Sequence, residues 1–112
     1  MNFSIRKKEN HTLVTVSSEN LDTFLAPDLK AVFLKVVEAG GTNILVDLNR
    51  CKYCDTSGLG ALLLGNRLCL DADGNFVLVG ISPRIREMMD LVGLDSLLKV
   101  IENEEEAYLF FD

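Results

Sequence analysis

A short stretch, Asp-Thr-Ser-Gly-Leu-Gly at positions 55–60, combines a carboxylate, two hydroxyls and two glycines. The apolar residues on either side indicate that it joins a buried strand to a helix, with Asp55 as the helix N-cap. Glycine in a helix costs roughly 0.5–1 kcal/mol relative to alanine, so Gly58 and Gly60 predict a sterically open helix start. We expect either close packing within the chain or the approach of another molecule's backbone to offset that cost.

Three kinds of chemistry would use such a turn. A phosphate-binding loop is disfavoured, because the chain has no Gly-Lys-Ser/Thr or G-x-G-x-x-G motif and Asp55 places negative charge where a phosphate would sit. A nucleophilic serine needs a base, and the only histidine, His11, is expected in a solvated hairpin turn. The third use makes the Ser57 hydroxyl a phosphorylation site. A phosphate there would be favoured by the helix N-terminus, would add about −1.5 to −2 charge, and would disrupt an interface.

The cysteines offer a further alternative. Cys51 and Cys54 form a C-x-x-C motif, which in thiol oxidoreductases lies at a helix N-terminus that stabilises a thiolate. Here the charge of Asp55 would raise the pKa of a neighbouring thiol. A zinc site would need further ligands, and only Cys69 and His11 remain. A thiol oxidoreductase therefore stays as one alternative, and we predict no catalytic residues, no metal and no cofactor.

Composition sets wider limits. With 112 residues, 48% of them hydrophobic and 25% charged, the chain is expected to form one domain over residues 1–112. The formal net charge of −6 disfavours binding to nucleic acid or to an anionic membrane. No apolar run reaches the roughly 18 residues of a membrane span, and the first residues lack the order of a signal peptide. Three cysteines, an odd number, favour a reducing compartment. We expect a cytoplasmic protein that is a monomer or a weak dimer.

The pattern of apolar residues predicts a mixed α/β fold. A β-branched hairpin comes first, and helices and short apolar strands then alternate, which favours a mainly parallel sheet. The predicted elements begin with a hairpin from Phe3–Lys8 and Thr12–Ser17, a helix from Leu25 to Val37 that is ended by Gly40-Gly41, and a strand at 44–48. A helix at 56–70 follows, in which Gly65 is expected to allow close packing on the sheet, and then a strand at 76–81. Ser82 is expected to cap a helix from Pro83 to Gly93, and a strand at 97–101 precedes a terminal helix after Asn103 that buries Ala107, Tyr108, Phe110 and Phe111.

In combination, these segments closely resemble one known family. The strand at 44–48, the D-T-S-G-L-G turn, Gly-Ile-Ser-Pro-Arg at 80–84 and Leu-Val-Gly-Leu at 91–94 resemble STAS domains, found in anti-sigma factor antagonists and in sulfate transporters. The resemblance covers nearly the whole chain. It implies a four- to five-stranded sheet with an N-terminal hairpin and about four helices, mostly on one face.

The resemblance also implies a partner-switching role. The unphosphorylated domain would bind an anti-sigma factor that is itself a serine protein kinase, and so free a sigma factor. Phosphorylation of the serine before Gly-Leu-Gly would break that complex, and a PP2C-type phosphatase would reverse it. That serine is Ser57, with Thr56 as the alternative acceptor; the family's partner-contact positions fall on Asp22, Asp55, Thr56, Ser57, Gly58 and Leu59.

Arg84 and Arg86 are expected to be solvated helix charges, with proximity of Arg84 to a phosphate on Ser57 as the alternative. The alternative role within the family is a STAS subunit of a transport or signalling assembly, without phosphorylation.

Overall fold

The structure is a computed structural model and describes residues 2–111. In chain order its elements are β1 (Phe3–Lys7), β2 (Thr12–Val16), β3 (Asn20–Leu21), α1 (Ala26–Glu38), β4 (Ile44–Asp47), β5 (Tyr53–Cys54), α2 (Thr56–Asp71), β6 (Phe76–Val79), α3 (Pro83–Leu91), β7 (Lys99–Ile101) and a terminal 3₁₀ helix (Glu104–Leu109).

The main sheet has five strands in the order β1-β2-β4-β6-β7. Strand β1 is antiparallel to β2, and every other neighbouring pair is parallel. The interior strand β6 is buried at all four of its residues, as expected for a parallel strand covered on both faces. The predicted fold, a mainly parallel sheet with an N-terminal hairpin, is confirmed.

Local sequence signals start and end the helices. Pro27 lies in the first turn of α1, where its missing N–H leaves no hydrogen bond unmade. The chain leaves α1 through Gly40, whose φ of +96° is a left-handed conformation that favours glycine. At α3, the Ser82 hydroxyl oxygen accepts a hydrogen bond from the Ile85 N–H at 3.1 Å.

The three α-helices cover one face of the sheet. Their buried side chains, among them Leu29 and Phe33 of α1, Leu62 of α2 and Ile85 of α3, pack in one cluster with the strands. Gly65 of α2 lies so close to the aromatic rings of Phe33 and Phe76 that a Cβ there would contact both. This confirms the close-packing explanation for that glycine.

The terminal segment covers the opposite face, where Ala107 and Phe111 pack against Leu45, Val77, Val79 and Ile101. The last helix is a 3₁₀ helix, and Tyr108 is 73% exposed, so the expectation that Tyr108 would be buried is wrong.

The same segment overturns the solvated environment expected for His11. The imidazole of His11 stacks on the Phe111 ring with centroids 4.8 Å apart. Its Nε2 atom is buried and has no hydrogen-bond partner within residues 2–111. Burial lowers the pKa of His11. Over the described part of the chain, no helix is both long enough and apolar enough to cross a membrane.

Candidate functional site at the start of α2

A second, two-stranded sheet positions the site. Strand β3 pairs in parallel with β5, with Leu21 opposite Cys54, and the Asp55 N–H donates to the Leu21 carbonyl at 3.2 Å. This pairing places the loop of residues 22–25, here called the β3–α1 loop, against the first turn of α2. The sequence did not predict β3 or β5, because two-residue strands carry no periodicity.

Asp55 holds that loop and the helix together. One carboxylate oxygen, Oδ1, accepts from the Gly58 N–H at 2.9 Å and caps α2 as predicted. The other, Oδ2, accepts from the N–H of Thr23 at 3.1 Å and from its hydroxyl at 3.2 Å. The hydrogen bond from Gly58, followed by those from Thr23, lowers the pKa of Asp55. Its carboxylate is therefore ionised at neutral pH.

The two candidate phosphoacceptors differ in environment. Thr56 is exposed, whereas Ser57 is half-buried. The Ser57 Oγ lies 3.2 Å from the Thr23 Oγ1, which makes Ser57 part of the hydrogen-bond network around Asp55. Neither hydroxyl is enclosed in the core, so both positions remain candidates.

The glycines of this turn have different neighbours. A Cβ on Gly58 would collide with the carbonyl oxygen of Leu21, so the close approach at this position comes from the chain itself. A Cβ on Gly60 would meet no heavy atom of residues 2–111 within 4 Å. The open helix start expected from both glycines is therefore found only at Gly60.

The remaining predicted contact residues divide by burial. Asp22 lies at the surface, where its Oδ1 accepts from the N–H groups of Phe24 at 3.0 Å and Leu25 at 3.2 Å and shapes the turn into α1. Gly58 and Leu59 are buried, Leu59 to 3% exposure. The structure therefore restricts the predicted contact set: Asp22, Asp55, Thr56 and Ser57 are accessible, and the two buried residues support them from beneath.

Sequence reasoning missed two residues at this site. Thr23 takes part in three of the hydrogen bonds at this site, and Phe24, the next residue in the chain, is 87% exposed. A hydroxyl or an aromatic residue just before a helix is common, so neither gave a signal. The guanidinium of Arg84 lies over the Tyr53 ring, 4.7 Å from the centroid, and its proximity to a phosphate on Ser57 stays a prediction.

The cysteines lack the features of a redox site. Cys51, Cys54 and Cys69 are all buried free thiols. Burial, with a smaller contribution from neighbouring charge, raises the pKa of Cys54 to about 12, and burial also raises that of Cys51. A thiol oxidoreductase needs the opposite shift, since the thiolate is the nucleophile. The structure therefore disfavours this alternative.

The family model for the STAS domain matches residues 2–107. This chain belongs to the STAS domain family. It is 34% identical over 86 residues to an anti-sigma-B factor antagonist of Staphylococcus epidermidis, covering 76% of this chain and 79% of that protein.

Solved structures agree on the fold. A putative anti-sigma factor antagonist from Thermotoga maritima superposes with a TM-score of 0.84 at 21% identity, covering 96% of this chain and 92% of that one. The phosphorylated form of SpoIIAA, a Bacillus cell fate determinant, superposes with a TM-score of 0.72 at 23% identity, covering 95% of this chain and 96% of that one. The STAS fold implied by the sequence resemblance is thus confirmed.

Proposed function

We propose that this STAS domain is an anti-sigma factor antagonist regulated by reversible phosphorylation of Ser57. Its unphosphorylated form binds an anti-sigma factor that is also a serine kinase. Phosphorylation releases that partner, and a PP2C-type phosphatase restores binding. The protein acts in the cytoplasm by binding and not by catalysis. Support comes from the names of its relatives, which are antagonists of an anti-sigma factor.

One structural observation supports the proposal above all. The Ser57 hydroxyl lies in the first turn of a capped helix, half-buried and hydrogen-bonded, beside the exposed residues Thr56 and Thr23. A group added to this hydroxyl would lie on the surface around the helix start without entering the core. The domain would remain folded while its surface changed, which is what a reversible switch requires.

The modification is a simple phosphoryl transfer. The Ser57 Oγ attacks the γ-phosphorus of ATP; an O–P bond forms, the bond to the β–γ bridging oxygen breaks, and ADP leaves. The hydroxyl proton passes to a base of the kinase. The product carries about −1.5 to −2 charge at neutral pH, close to the ionised Asp55. A partner packed over this turn would have to accommodate both the bulk and the charge of the phosphate.

Mapping the acceptor tests the proposal. The chain is incubated with ATP and the purified anti-sigma factor kinase of its own organism, and modified residues are located by mass spectrometry. We expect one phosphate on Ser57, absent from Ser57→Ala and retained in Thr56→Val. Phosphate on Thr56 would move the acceptor by one residue, and modification of neither residue would contradict the proposed switch.

A further inference from the structure

The β3–α1 loop holds an aromatic side chain in solvent on a fixed backbone. Phe24 is 87% exposed, yet its own N–H donates to Asp22 Oδ1 at 3.0 Å. The preceding residue, Thr23, is tied to Asp55 by two hydrogen bonds. A large aromatic group presented in this way loses little conformational freedom when it is buried by a partner. Aromatic residues of this kind are enriched at the centres of protein interfaces.

The hydrogen bonds between the loop and α2 have a defined direction. The ionised Asp55 carboxylate can only accept, so the single hydroxyl proton of Thr23 is donated to Oδ2 at 3.2 Å. The oxygen of Thr23 is then left as an acceptor. The Ser57 hydroxyl, 3.2 Å away, is therefore the donor of the pair. The result is a chain of donors that runs from Ser57 through Thr23 to Asp55.

We propose that Phe24 is the aromatic anchor of the docking surface and that Thr23 is the positioning residue that couples Phe24 to the chemical state of Ser57. This inference rests on the proposed function and adds to it the way in which phosphorylation is sensed. The partner is the anti-sigma factor, which would supply an apolar pocket for Phe24. Basic side chains would border that pocket, opposite the carboxylates of Asp22 and Asp55.

Phosphorylation would break the donor chain at its first step. Once phosphorus replaces the hydroxyl proton, the Ser57 oxygen can no longer donate to Thr23. Thr23 must then face that oxygen without a proton between them, or turn its own proton away from Asp55 towards the phosphate. Either change weakens the hydroxyl bond, one of the two hydrogen bonds that tie Thr23 to Asp55. The loop is then held less firmly, and Phe24 leaves its docking position more readily.

Charge alone would not produce release from such a partner. A surface that meets the carboxylates of Asp22 and Asp55 with basic groups would attract additional negative charge. Displacement of the loop removes the aromatic contact as well, and so supplies a reason for release that does not depend on charge repulsion.

Binding to the purified anti-sigma factor kinase of the same organism, measured by calorimetry, tests the anchor. We expect Phe24→Ala to weaken binding by roughly tenfold or more, the range of an interface hot spot. The matched control is Tyr108→Ala, which removes an aromatic residue that is 73% exposed on the opposite face of the sheet and should bind like the wild type. Equal affinities for the wild type and Phe24→Ala would overturn the anchor while leaving the proposed function in place.

The positioning role of Thr23 is tested without any partner. In ¹⁵N-correlated NMR spectra, Ser57→Ala removes the first donor and should shift the amide resonance of Phe24. The same substitution in a Thr23→Val background should leave that resonance nearly unmoved, and Thr23→Ser, which keeps the hydroxyl, should restore the shift. An equal shift in all three backgrounds would overturn the coupling, even if the wild-type chain bound no anti-sigma factor and the proposed function had failed.

Discussion

The first turns of α2 have an inner side that packs within the chain and an outer side that faces solvent, and each side contains a glycine. The inner side, with Gly58 and Leu59, faces the chain itself, and the Leu21 backbone fills the space that a Gly58 side chain would need. The outer side, with Thr56, Ser57 and Gly60, faces solvent. The contrast shows that two glycines only two positions apart can have different roles. Gly58 allows a close contact within the chain, and Gly60 leaves the surface open.

The largest expected effect separates these two sides. Gly58→Ala places a methyl group against the Leu21 carbonyl, which is backbone and cannot turn aside. We expect this variant to lose roughly 2–3 kcal/mol of unfolding free energy, the upper part of the usual range for overpacking. Urea denaturation followed by circular dichroism measures the loss. A variant as stable as the wild type would mean that the Leu21 backbone does not limit the space at Gly58.

Asp55 joins the two sides, and two substitutions divide its roles. Asp55→Ala removes the helix cap and the tie to Thr23, and should cost roughly 1–2 kcal/mol. Asp55→Asn retains one acceptor oxygen and can still cap, but it cannot also accept both hydrogen bonds from Thr23. We expect Asn to be intermediate in urea denaturation; an Asp55→Asn variant as stable as the wild type would show that the tie to Thr23 is not a stabilising contact.

The same carboxylate predicts a pH dependence. The pKa of Asp55 lies below its ordinary value of 3.8 in the folded protein. The contribution of the ionised Asp55 carboxylate to the free energy of unfolding is therefore complete above the unfolded-state pKa. It is lost as the pH falls through the lower folded-state pKa. The stability difference between the wild type and Asp55→Ala should shrink between about pH 4 and pH 2. A constant difference across that range would contradict the role given to the ionised carboxylate.

A smaller effect of opposite sign is expected on the outer side. Gly60→Ala adds a methyl group where no described atom lies within 4 Å, and alanine is the better helix former. We expect a gain of about 0.5–1 kcal/mol in unfolding free energy by urea denaturation. If this variant gained stability but bound the anti-sigma factor less tightly, the open position would be part of the interface. A loss of stability would show that Gly60 is not open.

The smallest expected effect concerns the proposed acceptor. Ser57→Asp changes a half-buried side chain at the surface, so its melting temperature should lie within a few degrees of the wild type. Differential scanning calorimetry measures this. Cooperative unfolding well below the wild-type temperature would show that Ser57 supports the fold and does not act as a surface switch.

The sequence predicted those parts of the molecule that depend on local chemistry. Asp55 as a cap, Ser82 before Pro83, and the helix end at Gly40 could be identified because each needs only a few neighbouring residues. The apolar alternation likewise predicted the order and type of the main strands and helices.

Distant contacts escaped prediction, because the sequence does not show which segment returns to which surface. His11 was expected in water, but the chain end brings Phe111 against it. Gly58 was expected to be open, but the unpredicted strand β3 fills its neighbourhood. Thr23 and Phe24 gained their positions only because β3 pairs with β5 across 32 residues or more of sequence.

Calorimetric titration of the purified anti-sigma factor kinase with the chain, before and after phosphorylation at Ser57, tests the central claim most directly. We expect the unphosphorylated chain to bind and the phosphorylated chain to lose affinity by roughly 100-fold or more, as the added bulk of the phosphate and the loss of a hot-spot contact would cause. Removal of the phosphate by a PP2C-type phosphatase should restore the original affinity. Equal affinity of the two forms would contradict the account, because the state of the Ser57 hydroxyl would then have no bearing on the partner.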